Sequence, residues 1–294
     1  MILAAGLTPA WQQILTFRHF TTSEVNRAQS SVWCASGKVL NVGCALHHLG
    51  VPSQTLCPVG GTVGQQTKAD FEQLGVSVRW IHSDSPTRIC TTILDESTSA
   101  TTELVENPYP LTTAELDNYF AAFTEEVRHA NLVVLSGSMP AGVPSNFMRR
   151  LLEQTTVPAV LDIRGPELDE ALSRRPFLVK PNREELARTV GRPLNDEQSI
   201  VDAMAELRSR GAEWVVVSQG PAPLLALGPD GLIKLTPPTV AVQNPIGCGD
   251  CLAAGIAAGL HQGCDVPRAL EIGIRAAAEN AQELLPARKL TRLS

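Results

Sequence analysis

From Asn131 onward, short apolar runs alternate with stretches of helical periodicity. Leu132–Ser136, Ala159–Asp162, Phe177–Lys180 and Trp214–Ser218 read as strands. Between them, about Pro144–Gln154, Pro166–Ser173, Arg183–Val190 and Asp196–Arg210 repeat apolar positions at helical spacing. Uninterrupted apolar strands separated by helices predict a mostly parallel sheet covered on both faces. A hairpin of Pro223–Leu227 and Leu232–Leu235 turns on Gly228-Pro229-Asp230-Gly231, and the helices Gly249–Gln262 and Val266–Leu285 close the chain. Earlier, Met1–Leu7, Gln54–Pro58 and Val76–His82 read as further strands of the same kind. Lys38–Leu49 is helical and stops at Gly50, a second helix runs to Leu74, and Thr112 with Glu115 forms a capping box for a helix to about His129. The pattern loosens at Ile14–Phe20 and Ser30–Cys34, and Thr87–Asp95 with Thr101–Glu106 alternates with period two. The expected architecture is α/β: one domain over residues 1–294, a mostly parallel sheet with helices on both faces, and a small β-sheet lid inserted at about 12–34 and 87–106.

Composition narrows the function. With 44% apolar and 18% charged residues in 294, the chain builds an ample core. A net charge of −6 argues against nucleic acid or an anionic membrane as partner. Met1–Gly6 lacks a basic flank and reads as a first strand, not a signal peptide, and no segment has the length of a membrane span. Seven scattered cysteines make no disulfide framework and suggest a reducing, cytoplasmic setting.

The stretch with the most chemistry is Asn244–Gly259, where Gly247 and Gly249 flank Cys248, Asp250 follows, and a small-residue helix begins. Glycines let successive N–H groups aim into one cavity, and the helix adds its positive end. Asp250 in the first turn sets a carboxylate beside that anion pocket. Phosphoryl transfer to an alcohol needs both parts: amides for the developing charge, a base for the hydroxyl proton. The plain alternative is a glycine-rich turn with Asp250 as a helix-start residue. The dinucleotide fingerprint fails at Leu252, and no phosphate-loop or protein-kinase signature is present. Cys248 and Cys251 form a Cys-x-x-Cys at a helix start, where thiol pKa values fall, so a thiol oxidoreductase is a rival reading.

Asn244–Asp250 resembles the C-terminal signature of ribokinase-like (PfkB-type) carbohydrate kinases, with Pro245, Cys248 and Cys251 replacing the usual Thr, Ala and Ser. Glu24-Val25-Asn26-Arg27, Ser36-Gly37-Lys38-x-x-Asn41-Val42, Thr87-Arg88, Leu135–Pro140 and Val179–Leu186 follow the family's order and are similar to its 1-phosphofructokinase and tagatose-6-phosphate kinase branch. The resemblance implies ATP and Mg²⁺, a sugar or sugar-phosphate acceptor, and dimerisation through the lid. It implies Asp250 as base, with Gly247, Cys248 and Gly249 as the anion hole. It places Arg27, Lys38 and Arg88 on a substrate phosphate, and Gln12, Gly37, Asn41 and Ser138 around the sugar. It places Lys180, Asn182, Ser218, Gly220 and Asn280 on the nucleotide side, with Asn182 and Glu185 holding Mg²⁺ through water. Spacing alone makes Asn182 and Glu185 a capping box, and Lys38 opposes its helix dipole unless an anion is bound.

The acceptor side departs from the family. Thr8-Pro9-Ala10-Trp11-Gln12 stands where Asn-Pro-x-x-Asp is usual, Val39 replaces a glycine, and Gln65 follows Gly64 where aspartate is common. A catalytically degenerate sugar- or nucleotide-binding module is therefore a second reading.

Overall fold

The structure is a computed structural model and describes residues 1–293. In chain order it runs β1 (Ile2–Ala5), β2 (Ala10–Phe17), β3 (Ser30–Ser36), α1 (Lys38–His48), β4 (Ser53–Val59), α2 (Gly61–Leu74), β5 (Val78–His82), β6 (Arg88–Asp95) and β7 (Ala100–Val105). There follow α3 (Thr113–Glu126), β8 (Leu132–Ser136), α4 (Phe147–Glu153), β9 (Ala159–Asp162), α5 (Pro166–Leu172), β10 (Leu178–Val179), α6 (Arg183–Val190) and α7 (Glu197–Ser209). The chain ends through β11 (Trp214–Gln219), β12 (Ala222–Gly228), β13 (Gly231–Leu235), α8 (Cys248–His261) and α9 (Val266–Ala281).

Nine strands form the large sheet in the order β13-β12-β11-β10-β9-β8-β1-β4-β5. The pairings from β11 to β5 are parallel; β12 and β13 add an antiparallel edge. Every residue of β1 and β8 is buried, as strands covered on both faces require. The alternation within β1 shows the two layers. Ile2 and Ala4 face the core under α1, α8 and α9, while Leu3 and Ala5 face the core that contains Tyr119, Phe123 and Phe147. Helices α8 and α9 pack closely because both present glycine. A Cβ on Gly255 would lie 2.6 Å from the Gly273 Cα.

The lid is a four-stranded sheet, β3-β2-β6-β7, in which β2 and β6 run parallel and the outer pairs antiparallel. Its first strand starts at Ala10, ahead of the expected Ile14, because Gln12 is polar yet buried, 3% exposed, on the inward face. That inward glutamine interrupts the apolar alternation by which a strand is recognised. At the other end, α9 stops at Ala281 instead of Leu285. The Ala281 carbonyl, which would accept from the next helical turn, takes N–H groups of Gln243 (2.7 Å) and Asn244 (3.2 Å), and Pro286 bars further helix. Among the described residues no helix is long and apolar enough to cross a membrane.

Candidate active site

The loops after β1, β8, β9 and β10 and the starts of α1, α6 and α8 surround a cavity of about 420 Å³. It lies beyond the carboxyl ends of the parallel strands, where open α/β sheets bind ligands. Gly247 makes the turn into α8 in the left-handed region (φ 84°), and a Cβ there would meet the Pro286 Cβ at 2.8 Å. The Cys248 N–H closes this turn on the Pro245 carbonyl at 3.3 Å, so Gly249 and Asp250 carry the N–H groups that α8 turns toward the cavity.

Asp250 is 6% exposed at the cavity floor, and its Oδ2 accepts from Asn41 Nδ2 at 2.7 Å. Asn41 is itself buried on α1, and its Oδ1 accepts from Ser36 Oγ at 3.1 Å. Burial pushes the Asp250 carboxyl up to about 7, and the nearby Asp162 charge adds to the rise. Lys38, Asn41 and Lys180 oppose it.

Beside Asp250 sits a row of alternating charge. Lys38 Nζ lies 3.1 Å from Asp162 Oδ1 and 3.3 Å from Glu185 Oε1, and Lys180 Nζ lies 3.4 Å from Asp162 Oδ2. These carboxylates answer the conflict between Lys38 and its helix dipole. Burial alone would lower the Lys38 pKa, but Asp162, Glu185 and Asp250 outweigh it and hold the lysine protonated. Burial would likewise raise Asp162, yet Lys180 and Lys38 hold it below the usual carboxylate range. Lys180 is 3% exposed and reaches to 3.6 Å from a Cβ position on Gly249, next to the anion turn.

The capping box of α6 is present in full: Asn182 Oδ1 accepts from the Glu185 N–H at 2.8 Å, and Glu185 Oε2 accepts from the Asn182 N–H at 3.0 Å. Glu185 Oε1 remains turned toward Lys38 and, at 4.0 Å, Arg164. Among the described residues no cluster of three or more acid, histidine or cysteine side chains is arranged to hold a metal directly. Asn182 and Glu185 line the cavity side by side, and a carboxylate next to an amide suits a hydrated cation that keeps its own waters.

The lid end of the cavity is lined by Gln12 and Arg88. Gln12 Nε2 donates to Thr92 Oγ1 at 2.8 Å. The Arg88 guanidinium donates to the carbonyls of Glu106 (3.0 Å), Pro9 (3.3 Å) and Thr8 (3.4 Å). Ser138 lines the same cavity and donates to Thr8 Oγ1 at 3.4 Å, and Gly37 abuts the lid, where a Cβ would meet the Thr8 carbonyl at 2.8 Å.

A second groove of about 450 Å³ runs between the β11–β12 turn, the segment 236–243 and α9. Ser218, Gly220 and Cys248 line it, and it shares Asn182, Ser218 and Gly249 with the first cavity, so the two meet at the Gly247 turn. An isolated parallel bridge between Asn182 and Ser218 fixes that junction.

Three expectations need correction. Arg27 is exposed on the β2–β3 connection and lies outside the cavity, because adjacency in motif order does not bring a loop tip inward. Asn280 does not line the groove. It is 1% exposed, donates to the Ile246 carbonyl (2.9 Å) and Cys248 Sγ (3.3 Å), and accepts from the Ala287 N–H (2.7 Å), so it braces the turn from behind while Ala277 and Ala281 face the groove. The structure does not favour the thiol reading: Cys251 is 0% exposed, and burial raises both it and Cys248 above an ordinary thiol. Residues without a motif also belong to the site, above all Asp162. Its one trace in the sequence is a charge closing the apolar strand β9.

Solved structures share this fold. Phosphofructokinase-2 from Escherichia coli, in its tetrameric inhibited form, superposes with a TM-score of 0.87 at 24% identity, covering 95% of this chain and 93% of its own. A possible 1-phosphofructokinase from Thermotoga maritima gives 0.88 at 21% identity, over 100% and 95%. Arabidopsis thaliana ribokinase, complexed with ribose and ATP, gives 0.77 at 19% identity, over 99% and 95%. The family model for pfkB family carbohydrate kinases matches residues 10–290. The match spans nearly the whole chain, and with the ribokinase-like fold it makes this protein a sugar kinase of the pfkB carbohydrate kinase family.

Proposed function

We propose that the protein transfers the γ-phosphoryl group of ATP to a hydroxyl of a sugar phosphate of the fructose 1-phosphate or tagatose 6-phosphate kind, with Asp250 as general base. The observation that carries this reading is the buried Asp250 carboxylate, fixed by Asn41 at 2.7 Å at the floor of the cavity, one residue on from Gly249, where cavity and groove meet. The acceptor hydroxyl oxygen forms a bond to the γ-phosphorus as the bond to the departing ADP oxygen breaks, and the hydroxyl proton passes to Asp250. The N–H groups of Gly249 and Asp250, just past the Gly247 turn, take the charge that develops on the moving group, with Lys180 beside them. Mg²⁺ arriving with the nucleotide would be held through waters by Asn182 and Glu185 and would supply charge neutralisation for the phosphates.

Arg88 is the cation placed for a phosphate on the acceptor. Its contacts to Pro9 and Thr8, at 3.3 and 3.4 Å, are long and cheap to exchange for phosphate oxygens. The neutral Gln12 supports a second reading, a binding module without turnover. A panel of free and phosphorylated sugars with Mg·ATP separates the two: turnover with a phosphorylated acceptor supports the kinase, and binding without turnover selects the module.

Its pH profile tests Asp250 in the same assay. The base must be ionised, so kcat/KM should fall about tenfold per pH unit below about 7 and level off above it. A profile flat from pH 5 to 8 would remove Asp250 from the role.

The lid also offers a surface for a second copy. Trp33 stacks on Trp11 at 6.3 Å and is 42% exposed, and Leu104 on β7 is 55% exposed. We propose a homodimer formed through this sheet. Light scattering should give twice the chain mass, and Trp33→Asp should return it to one; a monomeric parent would refute this.

A further inference from the structure

One guanidinium in the cavity is left uncommitted. Lys38, Arg88, Arg164 and Lys180 are the cations that line it. Lys38 and Lys180 are paired with Asp162 and Glu185, and Arg88 donates to three carbonyls. Arg164 makes no hydrogen bond among the described residues. Its one acidic neighbour there is Glu185 Oε1 at 4.0 Å, the limit of an ion pair, and that oxygen already faces Lys38 at 3.3 Å. The Arg164 side chain is 51% exposed, so its five N–H donors are left to solvent.

The backbone beneath it is anchored. Asp162 and Ile163 before it are buried, and Gly165 after it turns in the left-handed region (φ 71°) into Pro166, the first residue of α5. Its place in the sheet says what it meets. β9 lies between β8 and β10, and all three run parallel. The loop after β8 carries Ser138 on the acceptor side, and the loop after β10 carries Lys180 and Asn182 on the donor side. Neighbouring strands are about 4.8 Å apart, so Arg164 rises one strand spacing from each. A phosphoryl group passing from donor to acceptor crosses the gap between those loops.

We infer, resting on the kinase reading, that Arg164 is a catalytic residue whose guanidinium clamps the phosphoryl group in transit. The arginine moves no proton and forms no covalent bond. It stays charged at every working pH, and its fork presents two parallel N–H donors to the equatorial oxygens over which the transition state spreads its charge. The resting contact to Glu185 is long and half-exposed, so little is lost when the guanidinium leaves it.

Arg164→Met and Arg164→Lys test this with Mg·ATP and fructose 1-phosphate. The side chain is half-exposed and makes no hydrogen bond, so neither substitution should disturb the fold. Arg164→Met should lower kcat by about two to three powers of ten and leave KM for both substrates near the parent's, the mark of an interaction made only in the transition state. Arg164→Lys should recover part of that loss, since it restores the charge without the fork. A raised KM for the sugar phosphate with kcat kept would put the guanidinium on the acceptor's own phosphate and overturn the inference, as would unchanged kinetics. Binding gives a readout that needs no turnover. Mg·ADP with aluminium fluoride and fructose 1-phosphate presents a stand-in for the moving group. Calorimetry should show it held more tightly than Mg·ADP alone, and Arg164→Met should lose about tenfold or more of that gain while binding Mg·ADP as before. If the parent turns over no acceptor, the kinase reading fails on its own. Equal affinity of parent and Arg164→Met for the fluoride complex would then overturn the role of Arg164, and a loss confined to the variant would uphold it.

Discussion

Asp250→Asn should lower kcat by about two to four powers of ten while leaving nucleotide affinity intact. The substitution is nearly isosteric, and the asparagine oxygen can still accept from Asn41 Nδ2, so the floor of the cavity keeps its shape. What is lost is a group able to take the hydroxyl proton. Stability supplies a second readout of opposite sign. The folded-state pKa of Asp250, about 7, lies above the ordinary 3.8, so folding takes up a proton between those values. The stabilisation linked to that proton is complete below pH 3.8 and is lost as pH rises through about 7. A neutral asparagine avoids the loss, and the variant should therefore melt at or above the parent temperature at pH 8 and differ least near pH 4. Full activity in Asp250→Asn would discard the base. Lost activity with a melting temperature several degrees lower at pH 8 would mean the substitution had damaged the fold instead.

The parts of the molecule legible in sequence share one cause: a local pattern dictates them. β1 and β8 are buried on both sides, so their apolar runs are unbroken, and the Asn182–Glu185 capping box is set by a spacing of three residues. Gly247 was readable because a left-handed turn admits little else. The Asn280 brace and Asp162 were not readable, since both act across the fold. Asn280 sits in an alanine-rich helix whose composition does not tell which side faces the groove and which faces the turn. Asp162 meets Lys38 across 124 residues of chain, and no spacing rule links them. Arg27 errs the other way, because its motif is local but its position in the lid is set by the β2–β3 pairing. Local chemistry therefore identified the turn we propose as the anion hole, while the charge balance around it appears only in three dimensions.

That charge balance has its own consequence. Asp162→Ala should destabilise the fold by about 3–5 kcal/mol, the usual cost of stripping one partner from a buried ion pair. The two lysines it serves are not equally exposed to the loss. Lys38 keeps Glu185 at 3.3 Å and 38% of its side-chain surface, whereas Lys180 is 3% exposed and Asp162 is its one carboxylate partner among the described residues. Most of the cost should therefore fall on Lys180, and the double variant Asp162→Ala, Lys180→Met should recover much of it, because no cation is then left stranded. Urea midpoints of the parent, both single variants and the double variant measure the coupling; strictly additive losses would show that the two side chains do not act as a pair. The milder Asp162→Asn separates catalysis from folding. It removes the charge that, with burial, raises the Asp250 pKa, so the acid limb of the rate profile should move below about 7. A limb that stays in place would mean that burial alone sets the base, and that Asp162 serves only to hold its lysines.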